Sequence, residues 1–281
     1  MGKKSRWMVV ALGIWTLVLV VAPLCYIVAM SFAKRDPTWG IDWSFTLDNY
    51  AGMWKKTYLE VFRDSIVLAA STTILTLLLG YPFAYSTARL SPRFRMVVLL
   101  LLMAPFWLNS LVRMYGWMNL MRANGLINAG LQAAGVIQEP LKLLYNNGAV
   151  LLGMVYGLIP MMMLAIYNST EKIDWSLVEA ARDLGASRLR AFLTVTLPQC
   201  LPGIGAGCVL VFVPSMALFF ISDLMGGAKT VILGNLIKNV LLVARDWPFA
   251  AALSVVMMVA TAVIVVIYRK IAGKKSLEGL I

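Results

Sequence analysis

Residues 171–200 read EKIDWSLVEAARDLGASRLRAFLTVTLPQC. This polar stretch holds four basic and four acidic residues and lies between two apolar runs, 149–168 and 203–221. Each run is close to the roughly 20 residues that cross a bilayer as an α-helix. The pattern therefore predicts a loop outside the membrane that joins two spanning helices.

Two short helices are predicted within this loop. Ser176 followed three residues later by Glu179 has the pattern of a capping box, and Gly185 suits a left-handed helix end. A second helix is predicted to begin near Ser187. From the pattern alone, the loop is either a solvated linker or a docking surface whose small alanines let another backbone come close.

The composition extends the membrane interpretation to the whole chain. Of its 281 residues, 60% are hydrophobic and 14% are charged. A soluble domain carries about 25% charged and about 45–50% apolar residues. This chain lacks the charge to cover soluble domains of its length, which makes a soluble enzyme an unfavourable interpretation.

Six apolar stretches are long enough to span a bilayer. The first follows a basic start but is too long for a signal peptide, so we interpret it as an uncleaved helix. The third is interrupted by Pro105 and Asn109. We predict an all-α integral membrane protein, a single domain over 1–281, with spans at about 7–32, 65–87, 96–115, 149–168, 203–221 and 249–268.

The charges of alternate connections predict the orientation. One side receives 14 Lys and Arg and has a net charge of +9, whereas the other receives 11 and has +3. Since basic residues favour the cytoplasm, both termini and the 171–200 loop are predicted to be cytoplasmic.

Several chemistries are disfavoured by what the sequence lacks. There is no histidine, which removes the usual proton shuttle and the commonest metal ligand. The three cysteines are scattered without metal-type spacing, and the 17 methionines are interpreted as packing rather than a copper site. No Walker A pattern occurs, so we predict no catalytic site, no metal site and no cofactor in this chain.

The central loop resembles a known family. Glu179-Ala180-Ala181, then Gly185, Val195 and Leu197-Pro198 match the EAA signature of ABC importer permeases, E-A-A-x3-G-x9-I-x-L-P. The one departure is Val195 for Ile, which is conservative. This resemblance implies the type I ABC importer permease fold. It also implies ATPase-docking residues at Glu179, Ala180, Ala181, Gly185, Leu197 and Pro198.

Further stretches resemble the spermidine/putrescine branch of that family, and most of all its first (B) permease subunit. They are 45–50, 80–84, 105–113, 179–187, 222–229 and 245–249. The resemblance implies import of polyamines across the bacterial inner membrane. It also implies a second homologous permease, two ATP-binding subunits that hold ATP and Mg, and an external polyamine-binding protein. The remaining alternative is an importer of another solute, such as an iron complex or a phosphorus-containing anion.

Candidate pathway residues follow from polyamine chemistry, because ammonium groups favour carboxylates and aromatic faces. The candidate carboxylate is Asp223, and the alternative is that Asp223 only forms an ion pair with Lys229. Interfacial anchoring is the alternative for the aromatic residues, and Arg113 is awkward in a cation path unless it pairs with an acid such as Asp64. The predicted substrate-pathway residues are Tyr50, Trp107, Asn109, Tyr115, Trp117 and Asp223.

Overall fold

A computed structural model of the chain describes residues 7, 12–36, 40–227 and 229–272. Residues 8–11 of the first predicted span and the basic tail after residue 272 lie outside the described residues. The described part is mainly helical. Its helices are α1 Leu12–Ser31, α2 Asp48–Gly52, α3 Lys56–Ala88, α4 Pro92–Met103, α5 Ser110–Met121, α6 Leu126–Ala133, α7 Asn147–Thr170, α8 Trp175–Asp183, α9 Arg188–Ala191, α10 Leu197–Ala217, α11 Phe219–Gly226, α12 Leu233–Leu242 and α13 Trp247–Ala272.

Shorter elements interrupt or join these helices. A 3₁₀ turn, Ala104–Trp107, follows α4, and a π-helical turn, Phe192–Thr196, joins α9 to α10. Another π-helical turn, Leu17–Val21, lies within α1. Strands β1 Lys34–Arg35 and β2 Ile41–Asp42 form a two-stranded antiparallel sheet in which Lys34 pairs with Asp42.

The membrane-spanning character is confirmed. Among the described residues, five continuous helical stretches are long and apolar enough to cross a bilayer, and a sixth crossing arises if the bent pair 92–107 and 110–133 counts as one. The bend is 90°. It falls at the interruption that the sequence predicts, because Pro105 cannot donate a backbone hydrogen bond and Asn109 caps a new helix.

Several span boundaries differ from the predicted ones. The second helix begins at Lys56 rather than near 65, since its polar first turns stay helical outside the apolar run. The fifth runs continuously over Arg188–Ala217. It ends before residue 221 because Leu218, with φ −72° and ψ 64°, leaves the helical region.

The described residues group into two compact units. One contains the residues through Glu60 together with Leu236–Ala262. Within it, the Asn49 side-chain amide donates to the carbonyls of Ser31 and Ala33, holding the turn after α1. Arg35 donates to the carbonyl of Ala244 and lies 3.9 Å from the Asp246 carboxylate, tying β1 to the end of α12.

The other unit comprises Val61–Asn235 and the residues from Val263 onward. Methionines fill much of its core, and Met114, Met154 and Met225 are almost fully buried. Their unbranched side chains fill irregular gaps between helices. Helices α7 and α10 approach closely, since a Cβ added to Gly203 would lie 2.6 Å from the Ala165 carbonyl oxygen.

Candidate functional site

Helix α8 forms the centre of the predicted docking loop, and its first residue differs from the prediction. The N-cap is Asp174, whose Oδ1 accepts hydrogen bonds from the backbone N and Oγ of Ser176 at 3.0 and 2.7 Å. The capping box at Ser176 and Glu179 is therefore wrong. Asp174 is the stronger cap because its carboxylate is charged, and Ser176 serves it as a donor.

The same two hydrogen bonds affect the acidity of the cap. Donation from the Ser176 side chain, and then from its backbone, holds the pKa of the Asp174 carboxyl below its ordinary value. A hydrogen bond to the charged form favours that form. Asp174 therefore remains an anion at the positive end of α8.

The far end of α8 closes as predicted. Gly185 has φ +88°, in the left-handed region. Its amide donates to the carbonyl of Arg182, and the amide of Ala186 donates to Ala181, which together form a Schellman motif. The second short helix begins after Ser187, whose Oγ accepts from the Arg190 amide. The loop is thus a capped, rigid helical hairpin.

The outer face of α8 is open to a partner. Glu179 and Ala180 are exposed and Ala181 is half-buried. Leu184, at the end of the helix, is 90% exposed, which is unusual for a large apolar side chain. Trp175, which lies one helical turn before Glu179 and on the other side of the helix from Leu184, packs edge-on against Tyr85 at 5.8 Å. One face is therefore anchored and the other is available for docking.

The last two predicted docking residues lie elsewhere. A cavity of about 580 Å³ adjoins α8 and is lined by Glu179, Gly185 and their neighbours. Leu197 and Pro198 do not line it and instead form the first turn of α10. In the structure they continue the second arm of the hairpin into the membrane helix.

The interrupted third span brings together residues that the sequence did not connect. The guanidinium carbon of Arg113 lies 4.2 Å from the ring centre of Phe106 and 5.7 Å from that of Tyr156. Trp117 packs edge-on against Tyr156 at 5.5 Å. Phe106 and Tyr156 were missed, although a cation inside an apolar span is a signal for aromatic neighbours.

Arg113 does not pair with Asp64. Asp64 accepts from the neighbouring Arg63 at 2.8 Å. The Nε and Nη1 atoms of Arg113 are buried and have no hydrogen-bond partner among the described residues. The aromatic faces are therefore what stabilises this cation in the described part of the chain.

The other pathway candidates of this span have different surroundings. Asn109 is the N-cap of α5, and its Oδ1 accepts from the Leu111 amide at 2.8 Å. Trp107 and Tyr115 are 78% and 52% exposed. Asn109 thus has a structural role, while the two exposed aromatic residues are available to lipid, solvent or another chain.

Asp223 is held in a defined orientation. It lies in α11, and its Oδ1 accepts from the Asn235 side-chain amide at 2.5 Å. Asn235 also donates to the Phe219 carbonyl and accepts from the Ile232 amide. One carboxylate oxygen is thereby fixed by a residue that also joins α11 to the start of α12.

Tyr50, the remaining candidate, belongs to the unit that contains Glu60. Its hydroxyl lies 2.7 Å from the Ser31 hydroxyl, and its ring lies 5.3 Å from that of Phe32. These contacts give Tyr50 a packing role within that unit.

Known proteins are similar to this chain in sequence, and others are similar to it in fold. A family model described as "Binding-protein-dependent transport system inner membrane component" matches residues 76–276. The spermidine/putrescine transport system permease protein PotB of Salmonella typhimurium (strain LT2) is 42% identical, covering 95% of this chain and 93% of that protein. PotB of Haemophilus influenzae is 39% identical, covering 90% and 89%.

A solved structure gives a further likeness. A chain of the bacterial alginate ABC transporter, crystallised in complex with its alginate pentasaccharide-bound periplasmic protein, superposes with a TM-score of 0.77. The alignment covers 97% of this chain and 96% of that one, at 15% identity. At this identity the likeness shows the fold alone, which is that of an ABC importer permease.

Proposed function

Because this chain belongs to the family of binding-protein-dependent transport system inner membrane components, we propose that it is a permease subunit of an ATP-driven importer of polyamines. The chain is a multi-pass transport permease of the type I fold. The identity to spermidine/putrescine permeases, 42% over almost the whole chain, is the observation that carries the choice of solute.

The proposed assembly contains three kinds of partner protein. A second homologous permease completes the pathway, two ATP-binding subunits bind and hydrolyse ATP with Mg, and an external polyamine-binding protein delivers the solute. The chain itself supplies no catalytic group and no cofactor. It lies in the bacterial inner membrane with both termini in the cytoplasm.

The capped hairpin around α8 supports a mechanism of coupling. A helix held at both ends by Asp174 and Gly185 moves as a rigid body, so a push on its exposed face reaches α10 through the continuous run Arg188–Ala217. In the proposed cycle, ATP closes the ATPase pair, α8 follows, and the pathway changes from inward- to outward-facing. Hydrolysis then resets it.

Reconstituted transport tests this proposal. The complete complex in proteoliposomes should hydrolyse ATP faster when loaded binding protein is added, and should accumulate labelled spermidine. Glu179→Lys reverses a charge on the docking face, and Gly185→Pro removes an amide donor of the Schellman motif. Each should reduce the stimulated rate at least about tenfold, because we propose that α8 is a hot spot of the docking interface, and loss of a hot spot costs about 2 kcal/mol or more.

The control is Glu139→Lys, the same charge reversal at an exposed position outside the hairpin, which should leave stimulation unchanged. Stimulated ATPase activity that survives Glu179→Lys would contradict the docking role. Normal coupling without spermidine uptake would instead contradict the choice of solute.

A further inference from the structure

A basic cavity lies on the anchored side of the α8 hairpin. It has a volume of about 320 Å³ and is lined by Arg89, Arg182 and Arg188, with Thr196 among its other walls. None of the described residues that line it is acidic. We propose that this cavity binds a phosphate-type oxyanion, carried by inorganic phosphate or by the headgroup of an anionic lipid. The proposal does not depend on which solute is transported.

The first support is unbalanced charge. The ion pairs among the described residues involve Arg35, Arg63 and Arg95, and none of them includes an arginine of this cavity. The three arginines are exposed, so water and salt screen part of their mutual repulsion, and an anion bound between them would remove the rest. Glu179 and Asp183 line the neighbouring 580 Å³ cavity on the outer side, which Arg182 and Arg188 also border.

One of the three guanidinium groups is already positioned. The guanidinium carbon of Arg89 lies 5.0 Å from the ring centre of Tyr85 and 4.7 Å from that of Trp175. Stacking on aromatic faces holds the guanidinium plane while its N–H groups remain at the edge. This arrangement lowers the entropy that Arg89 would lose on binding an anion.

The second, independent support is a buried hydroxyl. Thr196 is 1% exposed, and its Oγ1 has no hydrogen-bond partner among the described residues. Elsewhere in the helices, Thr72, Thr87 and Thr170 each donate to the carbonyl four residues earlier. A buried hydroxyl without a partner is costly, and Thr196 is one of the residues that line the cavity, so a small rotation of its side chain would offer this donor to a ligand there.

The local backbone explains why Thr196 differs. It ends the π-helical turn Phe192–Thr196, in which the Leu197 amide donates to the carbonyl of Phe192. The wider turn departs from α-helical geometry at Thr196, and the hydroxyl does not bond to the carbonyl four residues earlier. Such π-helical turns are frequent at functional sites.

The donor set favours a phosphate group. Guanidinium groups match the geometry of phosphate oxygens and can bind them in pairs, and the Thr196 hydroxyl adds one more donor. A carboxylate has only two oxygens to share among three arginines. The volume is about ten times the roughly 30 Å³ share of one water in the liquid, so a phosphate group fits.

A bound phosphate group would connect two parts of the molecule. Arg89 directly follows the end of α3, whereas Arg182 and Arg188 lie on either side of Gly185 in the hairpin. An anion between them would hold α8 to the end of a spanning helix. The cavity would then set how stiffly the hairpin is attached to the membrane domain.

The test uses the complete complex, with its partner subunits, in nanodiscs without ATP. Saturable binding of radiolabelled orthophosphate is measured in phosphatidylcholine discs, and retained phosphatidylglycerol is counted by native mass spectrometry after reconstitution with that lipid. Arg89→Gln and Thr196→Val should each weaken binding about tenfold, because hydrogen bonds to a charged group are the stronger class. Phosphate sites on the ATPase subunits are common to all variants and cancel in the comparison.

Two further variants keep the test specific. Thr194→Val removes a hydroxyl that already donates to the Arg190 carbonyl at 2.7 Å, and it should bind like the unmodified chain. Thr196→Ser keeps the hydroxyl and should also bind normally, which separates loss of a donor from misfolding.

Each outcome decides between sources or rejects the site. If Arg89→Gln and Thr196→Val weaken orthophosphate binding, the ligand is free phosphate. If they instead reduce the phosphatidylglycerol that the complex retains, the ligand is a lipid headgroup. If neither ligand depends on Arg89 and Thr196, the proposal is overturned, and the cations instead serve acidic side chains of a partner subunit.

Discussion

Arg113 shows how a single residue can carry a charge into an apolar span. Two of its nitrogen atoms are buried without a hydrogen-bond partner among the described residues, and Phe106 and Tyr156 supply aromatic faces to the guanidinium. Cation–π contacts contribute about 2 kcal/mol or more when desolvated, which offsets part of the cost of burying the charge.

We therefore predict opposite effects for two replacements of Arg113. Arg113→Lys keeps the charge but loses the planar stacking, so the free energy of unfolding should fall by about 1–2 kcal/mol. Arg113→Met keeps an unbranched apolar contact and removes the buried charge, so stability should be unchanged or higher. Thermal unfolding of the purified chain in detergent measures both, and a Lys variant more stable than the Met variant would reject this account.

Asp223 is the second residue with a prediction of its own. Asn235 fixes one oxygen of its carboxylate, which orients the group as a ligand for an ammonium. Asp223→Asn keeps an oxygen to accept that hydrogen bond but removes the charge. Spermidine uptake should fall about tenfold, because a hydrogen bond to a charged group contributes about 1.5–3 kcal/mol.

The matched control for this change is Asp42→Asn. Asp42 accepts hydrogen bonds from the Ser44 amide and hydroxyl within its own loop, and its replacement should leave uptake unaltered. Full uptake by the Asp223 variant would remove this residue from the proposed pathway.

At the scale of elements, the α8 hairpin depends on its two ends. Asp174 begins the helix through the Ser176 hydrogen bonds, and the Gly185 turn ends it. Because these bonds lower the pKa of Asp174, the cap stabilises α8 fully above the ordinary pKa of the group. That contribution is lost as the pH falls through the lowered value.

This cap leads to a prediction for hydrogen exchange in the complete complex. Asp174→Ala removes the acceptor and should speed amide exchange in residues 175–184 about fivefold, the usual effect of losing an N-cap. Asp174→Asn retains an acceptor and should stay near the unmodified rate. Because the amide of Asn does not titrate, the protection of α8 in this variant should no longer fall as the pH is lowered. Rates at each pH are first corrected for intrinsic exchange, which is measured on an unstructured peptide. Equal exchange in all three chains would show that packing alone holds α8.

At the scale of the whole molecule, charge asymmetry predicts the orientation. We expect Ser187 in the cytoplasm and Asn124, in the turn after α5, on the opposite side, since the connections on the two sides carry +9 and +3. Both positions are exposed. In a background with Cys25, Cys200 and Cys208 replaced by serine, single cysteines at these positions can be labelled with a membrane-impermeant maleimide.

Asn124→Cys should react in spheroplasts, whereas Ser187→Cys should react only after permeabilisation. The reverse pattern would place the hairpin on the wrong side for an ATP-binding partner. It would reject both the orientation and the docking role.

The sequence by itself determined the apolar spans, the break near Pro105 and Asn109, and the left-handed end at Gly185. Each of these follows from short-range physics: the length of a bilayer, a missing amide donor, and a backbone angle that glycine adopts freely. The capping box predicted at Ser176 is wrong for an equally local reason. The Ser176 amide, which Glu179 would accept from in that box, donates to Asp174 instead.

Only the tertiary structure decided which distant side chains meet. Arg113 meets Tyr156 across 43 positions of the chain, and Arg89 joins Arg182 and Thr196 around one cavity. Local patterns carry no information about such meetings, because helix packing angles and the wide turn at Phe192–Thr196 determine them. The sequence therefore predicts the membrane spans and the hairpin between two of them, whereas the packing of the helices brings Arg113 to its aromatic neighbours and forms the basic cavity.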